Sequence, residues 1–120
     1  MERLTEGELE VMQVLWDHGK QNPQEIQERF PRSISNMALR AALKVLMDKG
    51  HVKRHKVSRA YYYQAKTSRD KVMKKMVHRM ANVFAGGSPF ALIKQLVKSE
   101  ELSEENMNEL KKIASIKNEE

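Results

Sequence analysis

The chain has 120 residues, 40 % hydrophobic and 32 % charged, which is material for one ordinary domain or a small domain with an extension. No run approaches the roughly 18–20 apolar residues of a membrane span, and with no cysteine there is no disulfide, thiolate metal site or cysteine nucleophile. Lys and Arg number 22 against 16 Asp and Glu, a net charge of +6; the opening residues show no apolar leader, so a soluble, cytoplasmic protein without a membrane partner is expected.

Leu4-Thr5-Glu6-Gly7-Glu8-Leu9 has the form of a helix start, with Thr5 and Glu8 spaced as a capping box. Leu9, Met12, Leu15 and Trp16 follow at helical spacing, and Gly19 stops the helix. Asn22-Pro23 opens a shorter second helix, with Ile26 and Phe30 on one face, closed by Pro31. A third helix is predicted from Ser33 or Ser35 to Lys49, with Leu39, Leu43, Leu46 and Met47 as its apolar stripe and Met37 at the edge. The period then changes: His51 to Lys56 and Ala60 to Gln64 read as two short strands around a Val57-Ser58-Arg59 turn. Tyr61 and Tyr63 fall on one face of the second strand and Tyr62 on the other. Three short helices followed by a basic hairpin are the order of a winged helix-turn-helix.

Thr67-Ser68-Arg69-Asp70 caps a fourth helix that reaches Phe84, with Val72, Met73, Met76, Val77, Met80 and Val83 as apolar positions. Gly86-Gly87-Ser88-Pro89 breaks the chain before a helix lined by Leu92, Ile93, Leu96 and Val97. Ser103 caps the last helix, striped by Met107, Leu110, Ile113 and Ala114, and Lys117 to Glu120 read as a frayed polar tail. The expected fold is therefore mainly α with a small β-wing. Residues 1–66 would form a winged-helix DNA-binding domain and residues 67–120 a helical dimerisation domain. Fifty residues of amphipathic helix bury little on their own, and a two-fold partner supplies the missing surface. The dimer positions are Met73, Met76, Val77, Met80, Leu92, Leu96, Met107, Leu110 and Ile113; the alternative is that these helices fold back onto the N-terminal domain.

Charge placement points to a partner. Residues 1–30 carry three basic and seven acidic groups, whereas residues 31–66 carry nine basic and one acidic, the distribution of a face that meets a polyanion. In a helix-turn-helix the second helix of the motif enters the major groove, which here is the third helix of the chain. Opposite its apolar stripe lie Ser35, Asn36, Arg40 and Lys44, with Asn suited to adenine, Arg to guanine and Lys to phosphate. Lys53, Arg54, Lys56 and Arg59 surround the wing turn as backbone contacts. His51 and His55 lie roughly 13 Å apart on a strand, too far to chelate one ion, so no metal or other cofactor is expected. With no phosphate-binding Gly loop, nucleophile elbow or paired carboxylates, neither is an enzyme. Two other readings stay open, a winged-helix protein-interaction module that does not read DNA and a helical RNA-binding protein.

These residues also resemble a family. Leu4-Thr5-x-x-Glu8-Leu9-Glu10-Val11-Met12-x-x-Leu15-Trp16 is similar to the opening of the penicillinase-repressor (BlaI/MecI/CopY) family, and Leu46-x-x-Lys49-Gly50-His51-Val52 with Arg59-Ala60-Tyr61-Tyr62-Tyr63 to its helix end and wing. Gly86-Gly87-Ser88-Pro89 and Leu102-Ser103-x-x-x-Met107-x-Glu109-Leu110 resemble its dimerisation region. The resemblance implies a bacterial repressor, homodimeric on a palindromic operator of double-stranded DNA, released by a regulatory protease or an inducer that the sequence does not name. Three stretches depart from the family pattern. Ala38-Leu39-Arg40-Ala41 replaces a Thr-aliphatic-x-Thr segment, Val45 replaces an Arg, and Gln95-Leu96 stands where the family has a cleavable Asn-Phe bond. The cysteine pairs of the copper-responsive branch are absent.

Overall fold

The computed structural model describes residues 3–119. Its elements are α1 (Glu6–His18), α2 (Pro23–Arg29), α3 (Asn36–Asp48), β1 (Val52–Val57), β2 (Ala60–Ala65), α4 (Arg69–Phe84), α5 (Pro89–Ser99) and α6 (Glu104–Glu119). The chain divides into two compact units, one up to Met73 and one from Lys74, a division that falls inside α4. Among the described residues no helix is long and apolar enough to cross a membrane.

The first unit is built by well-marked helix ends. Thr5 accepts from the Glu8 amide at 3.2 Å while the Glu8 carboxylate accepts from the Thr5 amide at 3.0 Å, so two amides left unpaired by the helix start are satisfied reciprocally. Asn22 and Glu25 repeat the arrangement at α2, where Pro23 takes the first turn. Gly19 ends α1 at φ 76°, a conformation that costs a side-chain-bearing residue more than glycine. The buried face of α1 is broader than the Leu9–Met12–Leu15–Trp16 stripe. Val11, Met12, Val14 and Leu15 are buried, and Leu9 and Trp16 are half-buried.

These four residues pack with Ile26 and Phe30 of α2, Leu39, Leu43 and Leu46 of α3, Val52 of β1 and Tyr63 of β2. Each fully buried side chain of this size contributes roughly 1.5–3 kcal/mol against the entropy of ordering the chain. The strands pair antiparallel from Val52↔Ala65 to Val57↔Ala60, and the turn is just Ser58-Arg59, with Ser58 at φ 56°. The first strand thus begins and ends one residue later than the expected His51 to Lys56. Tyr63 is buried, and Tyr61 and Ala65 pack against the same core, as strand alternation requires.

A short pairing extends the hairpin: Gln21 bridges Tyr63, with N–H to O distances of 3.0 and 2.7 Å. The Gln21 side chain is fully buried, donating to the carbonyls of Val14 and Gly19 and accepting from Arg29. His51 precedes β1 and is buried, its Nδ1 3.0 Å from Thr67 Oγ1, while the Thr67 carbonyl accepts from Trp16 Nε1 at 2.8 Å.

In the second unit, Ser88 and Ser103 cap α5 and α6. Leu92 and Ala81 are buried, but α6 has no buried residue. The expected tail from Lys117 is helical through Glu119, so the fraying predicted from polarity is not seen up to that point; Glu120 lies outside the described residues.

Candidate nucleic-acid interface

Leu39, Leu43 and Leu46 anchor α3 in the core, and that anchoring sets what it shows outward. Asn36, Arg40 and Lys44 are exposed, as expected from their spacing of four. Ser35 is also exposed, but its hydroxyl caps the helix by accepting from the Ala38 amide at 3.1 Å. Arg40 Nε donates to Asn36 Oδ1 at 2.7 Å. That bond uses one Arg40 donor and leaves the two terminal nitrogens of its fork for an external acceptor. The most exposed large apolar residue of α3 is Met37, 82 % exposed. Sequence periodicity set Met37 at the edge of the apolar stripe; the anchoring leucines turn it away from the core.

An open cleft of about 490 Å³ joins three elements: Asn22, Gln24 and Gln27 at α2, Asn36 and Arg40 of α3, and Arg59 and Tyr61 of the hairpin. From sequence Asn22 marks only the start of the second helix, and nothing there points to Gln24 or Gln27 as part of a site; the fold brings all three beside Arg40.

The register sorts the wing cations by face. Arg54 and Lys56 lie opposite Tyr63 and Tyr61, so all four share one face, while Lys53 and His55 point to the other with Gln64 and Tyr62. The Arg54 guanidinium sits 4.0 Å from the Tyr61 ring centroid and donates a long, 3.5 Å hydrogen bond to the Tyr63 hydroxyl. That bond to Tyr63 holds Arg54 above its ordinary pKa, and stacking on a ring face restricts the guanidinium. Lys56 Nζ lies 5.7 Å from the same ring.

Three of the cations counted in the sequence are matched in ion pairs. Lys49 pairs with Glu8 at 2.6 Å, Arg32 with Glu10 at 2.9 Å, and Arg69 with Asp17. The acidic first helix therefore neutralises cations that lie outside the α3–wing face. Among the described residues, Arg40, Lys44, Lys53, Arg54, Lys56 and Arg59 join no ion pair. Burial works against the Glu8 carboxylate, but the hydrogen bonds from Lys49 and Thr5 outweigh it and hold its pKa below the ordinary value.

Of the positions read as a dimer surface, Met73, Met76, Met80, Leu96, Leu110 and Ile113 are 40–54 % exposed. Val77 and Met107 are half-buried, and Leu92 is buried. Gln95, at the departure from the family cleavage pattern, lies within α5 and donates to the Phe84 carbonyl at 3.1 Å.

Three helices, a two-stranded wing and an outward third helix flanked by unpaired cations define a winged helix-turn-helix. The penicillinase repressor profile matches residues 4–115, and the chain belongs to that family, one of repressors rather than enzymes. The chain is 28 % identical to the penicillinase repressor of Bacillus licheniformis over 118 residues, covering 92 % of this chain and 88 % of the relative. It is similar to the solution structure of the DNA-binding domain of the repressor BlaI, at 26 % identity and a TM-score of 0.53, over 59 % of this chain and 93 % of that one. The solution structure of monomeric Bacillus licheniformis BlaI in complex with the blaP half-operator matches at 26 % identity and a TM-score of 0.51, over 58 % of this chain and 88 % of that one.

Proposed function

We propose that this protein is a bacterial transcriptional repressor that binds double-stranded DNA as a homodimer on a palindromic operator. The observation that carries the proposal is the cleft where Asn36 and Arg40 of α3 meet Arg59 and Tyr61 of the wing. A helix anchored by its leucines, with a fixed Asn–Arg pair on its outer side, suits insertion into a major groove. Arg40 would make a bidentate contact to guanine, and Ser35, Asn36 and Lys44 would contact neighbouring bases or phosphates. Lys53, Arg54, Lys56 and Arg59 would follow the backbone, with Arg54 and Lys56 on one side of the wing and Lys53 on the other.

Residues 1–66 would hold the DNA-binding function and residues 67–120 the dimer contacts, through the apolar positions of α4, α5 and α6 left exposed in one chain. Two-fold symmetry would then place two α3 helices on half-sites about one helical turn apart or a multiple of it.

Fluorescence anisotropy of labelled duplex DNA, single-stranded DNA and duplex RNA at several salt concentrations tests the reading. Preference for duplex DNA, with affinity falling steeply as salt rises, is the expected result. Absence of duplex binding would leave a protein-interaction module, and preference for RNA would leave an RNA-binding protein.

A further inference from the structure

Met37 is the most exposed of the large apolar side chains described in the chain, at 82 %. It is not needed by the core, which is filled by residues of α1, α2, α3 and the hairpin with Met37 outside it. At 100° per residue, Met37 and Ala41 fall on the line of α3 opposite Leu39, Leu43 and Leu46, and both are exposed. Asn36 and Arg40 lie to one side of that line, on the cleft shared with Arg59 and Tyr61. The outermost line of the first two turns of α3 is therefore methyl-bearing, with the hydrogen-bonding groups beside it.

On the edges of base pairs in a major groove, the apolar group on offer is the 5-methyl of thymine. We infer that Met37 and Ala41 read thymine 5-methyl groups adjacent to the base contacted by Arg40. The inference rests on α3 being the groove-reading helix and names what part of that helix recognises. Met37 suits the role, because its unbranched side chain adapts its shape to a methyl without needing a hydrogen-bond partner. Ala41 brings the helix backbone close and offers one methyl group of its own.

The test uses the full chain and duplexes enriched from a random pool. Each thymine of the enriched half-site is replaced in turn by deoxyuracil, which removes the methyl and keeps every hydrogen-bonding group. One or two neighbouring positions should lose roughly fourfold in affinity, the value of burying one methyl-sized group. That loss should shrink to nothing at one position in Met37→Ser and at the other in Ala41→Ser. Both sites are exposed, and unchanged unfolding curves would show that the variants keep their fold. Replacing cytosine by 5-methylcytosine at the sensitive positions should restore part of the affinity lost on a thymine-to-cytosine change. Enriched half-sites whose affinity ignores every uracil substitution, or a uracil penalty that persists in both variants, would overturn the inference while leaving DNA reading intact. A pool with no enrichment would remove both.

Discussion

Glu8 ties α1 to the end of α3 within the first unit and does not line the cleft shared by α3 and the wing, which makes it a clean place to test the energetics. Its carboxylate accepts from the Thr5 amide at 3.0 Å and from Lys49 Nζ at 2.6 and 2.9 Å, joining the start of α1 to the end of α3. The two side chains are 8 % and 17 % exposed, so water screens the pair only in part. Glu8→Ala removes half of a capping box, about 0.5–1 kcal/mol, and a charge-assisted hydrogen bond, about 1.5–3 kcal/mol. The expected loss is about 2–4 kcal/mol. Glu8→Gln keeps an acceptor for Thr5 and isolates the ionic part.

Combined with Lys49→Met in a double-mutant cycle, Glu8→Gln should give a coupling energy of about 1–2 kcal/mol. The exposed Glu10–Arg32 pair, taken through the same cycle, should couple more weakly. Urea unfolding at one fixed protein concentration, followed by Trp16 fluorescence, measures both. Because the folded Glu8 pKa lies below its ordinary 4.5, the pair's stabilisation is complete above that value. It is lost as pH falls through the lower, folded value. Glu8→Gln should therefore flatten the acid limb of the stability profile. A coupling below about 0.5 kcal/mol, or an acid limb identical in wild type and Glu8→Gln, would mean that the Glu8–Lys49 pair does not stabilise the fold.

Arg40→Ala should weaken binding to an enriched duplex by about 1–3 kcal/mol and relax preference at one base pair, read by comparing single-base variants of that duplex. An unchanged preference would take Arg40 out of base recognition. Arg54→Gln and Lys56→Gln should each reduce the slope of log affinity against log salt by about one unit; an unaltered slope would exclude that side of the wing from the backbone. Gln21→Leu should lower stability by about 1–3 kcal/mol, because it strands the buried Val14 carbonyl and removes the bonds to the Gly19 carbonyl and Arg29, and near-neutral unfolding would contradict this. Met76→Glu combined with Leu110→Glu should convert a dimer to a monomer in analytical ultracentrifugation, and an undisturbed dimer would place the interface elsewhere.

The order of elements was legible because each helix carries its own punctuation: Thr5 with Glu8, Asn22 with Pro23, Gly19 and the Ser88-Pro89 start all act within a turn of where they sit. Interactions that cross the chain left no such mark. Glu8 meets Lys49 across 41 positions and Glu10 meets Arg32 across 22, so a charge count along the sequence could not tell matched cations from free ones. The Gln21 bridge to Tyr63 involves one residue on each side, too short for any alternation to register. Spacing correctly grouped Asn36, Arg40 and Lys44 on the exposed side of α3. It did not reveal that Asn36 and Arg40 bond to each other, nor that Met37 is turned outward and 82 % exposed. Those facts follow from how the leucine anchor and the wing orient the helix.

The most direct test of the account is selection from a random pool of duplex DNA at near-physiological salt, with wild type and Arg40→Ala run in parallel and the retained sequences read. Wild type should yield an inverted repeat, with half-sites about one helical turn apart or a multiple of it, and one base pair of each half-site should be relaxed in the variant. Retention of sequences without enrichment, or the same repeat with the same preferences in both proteins, would contradict it.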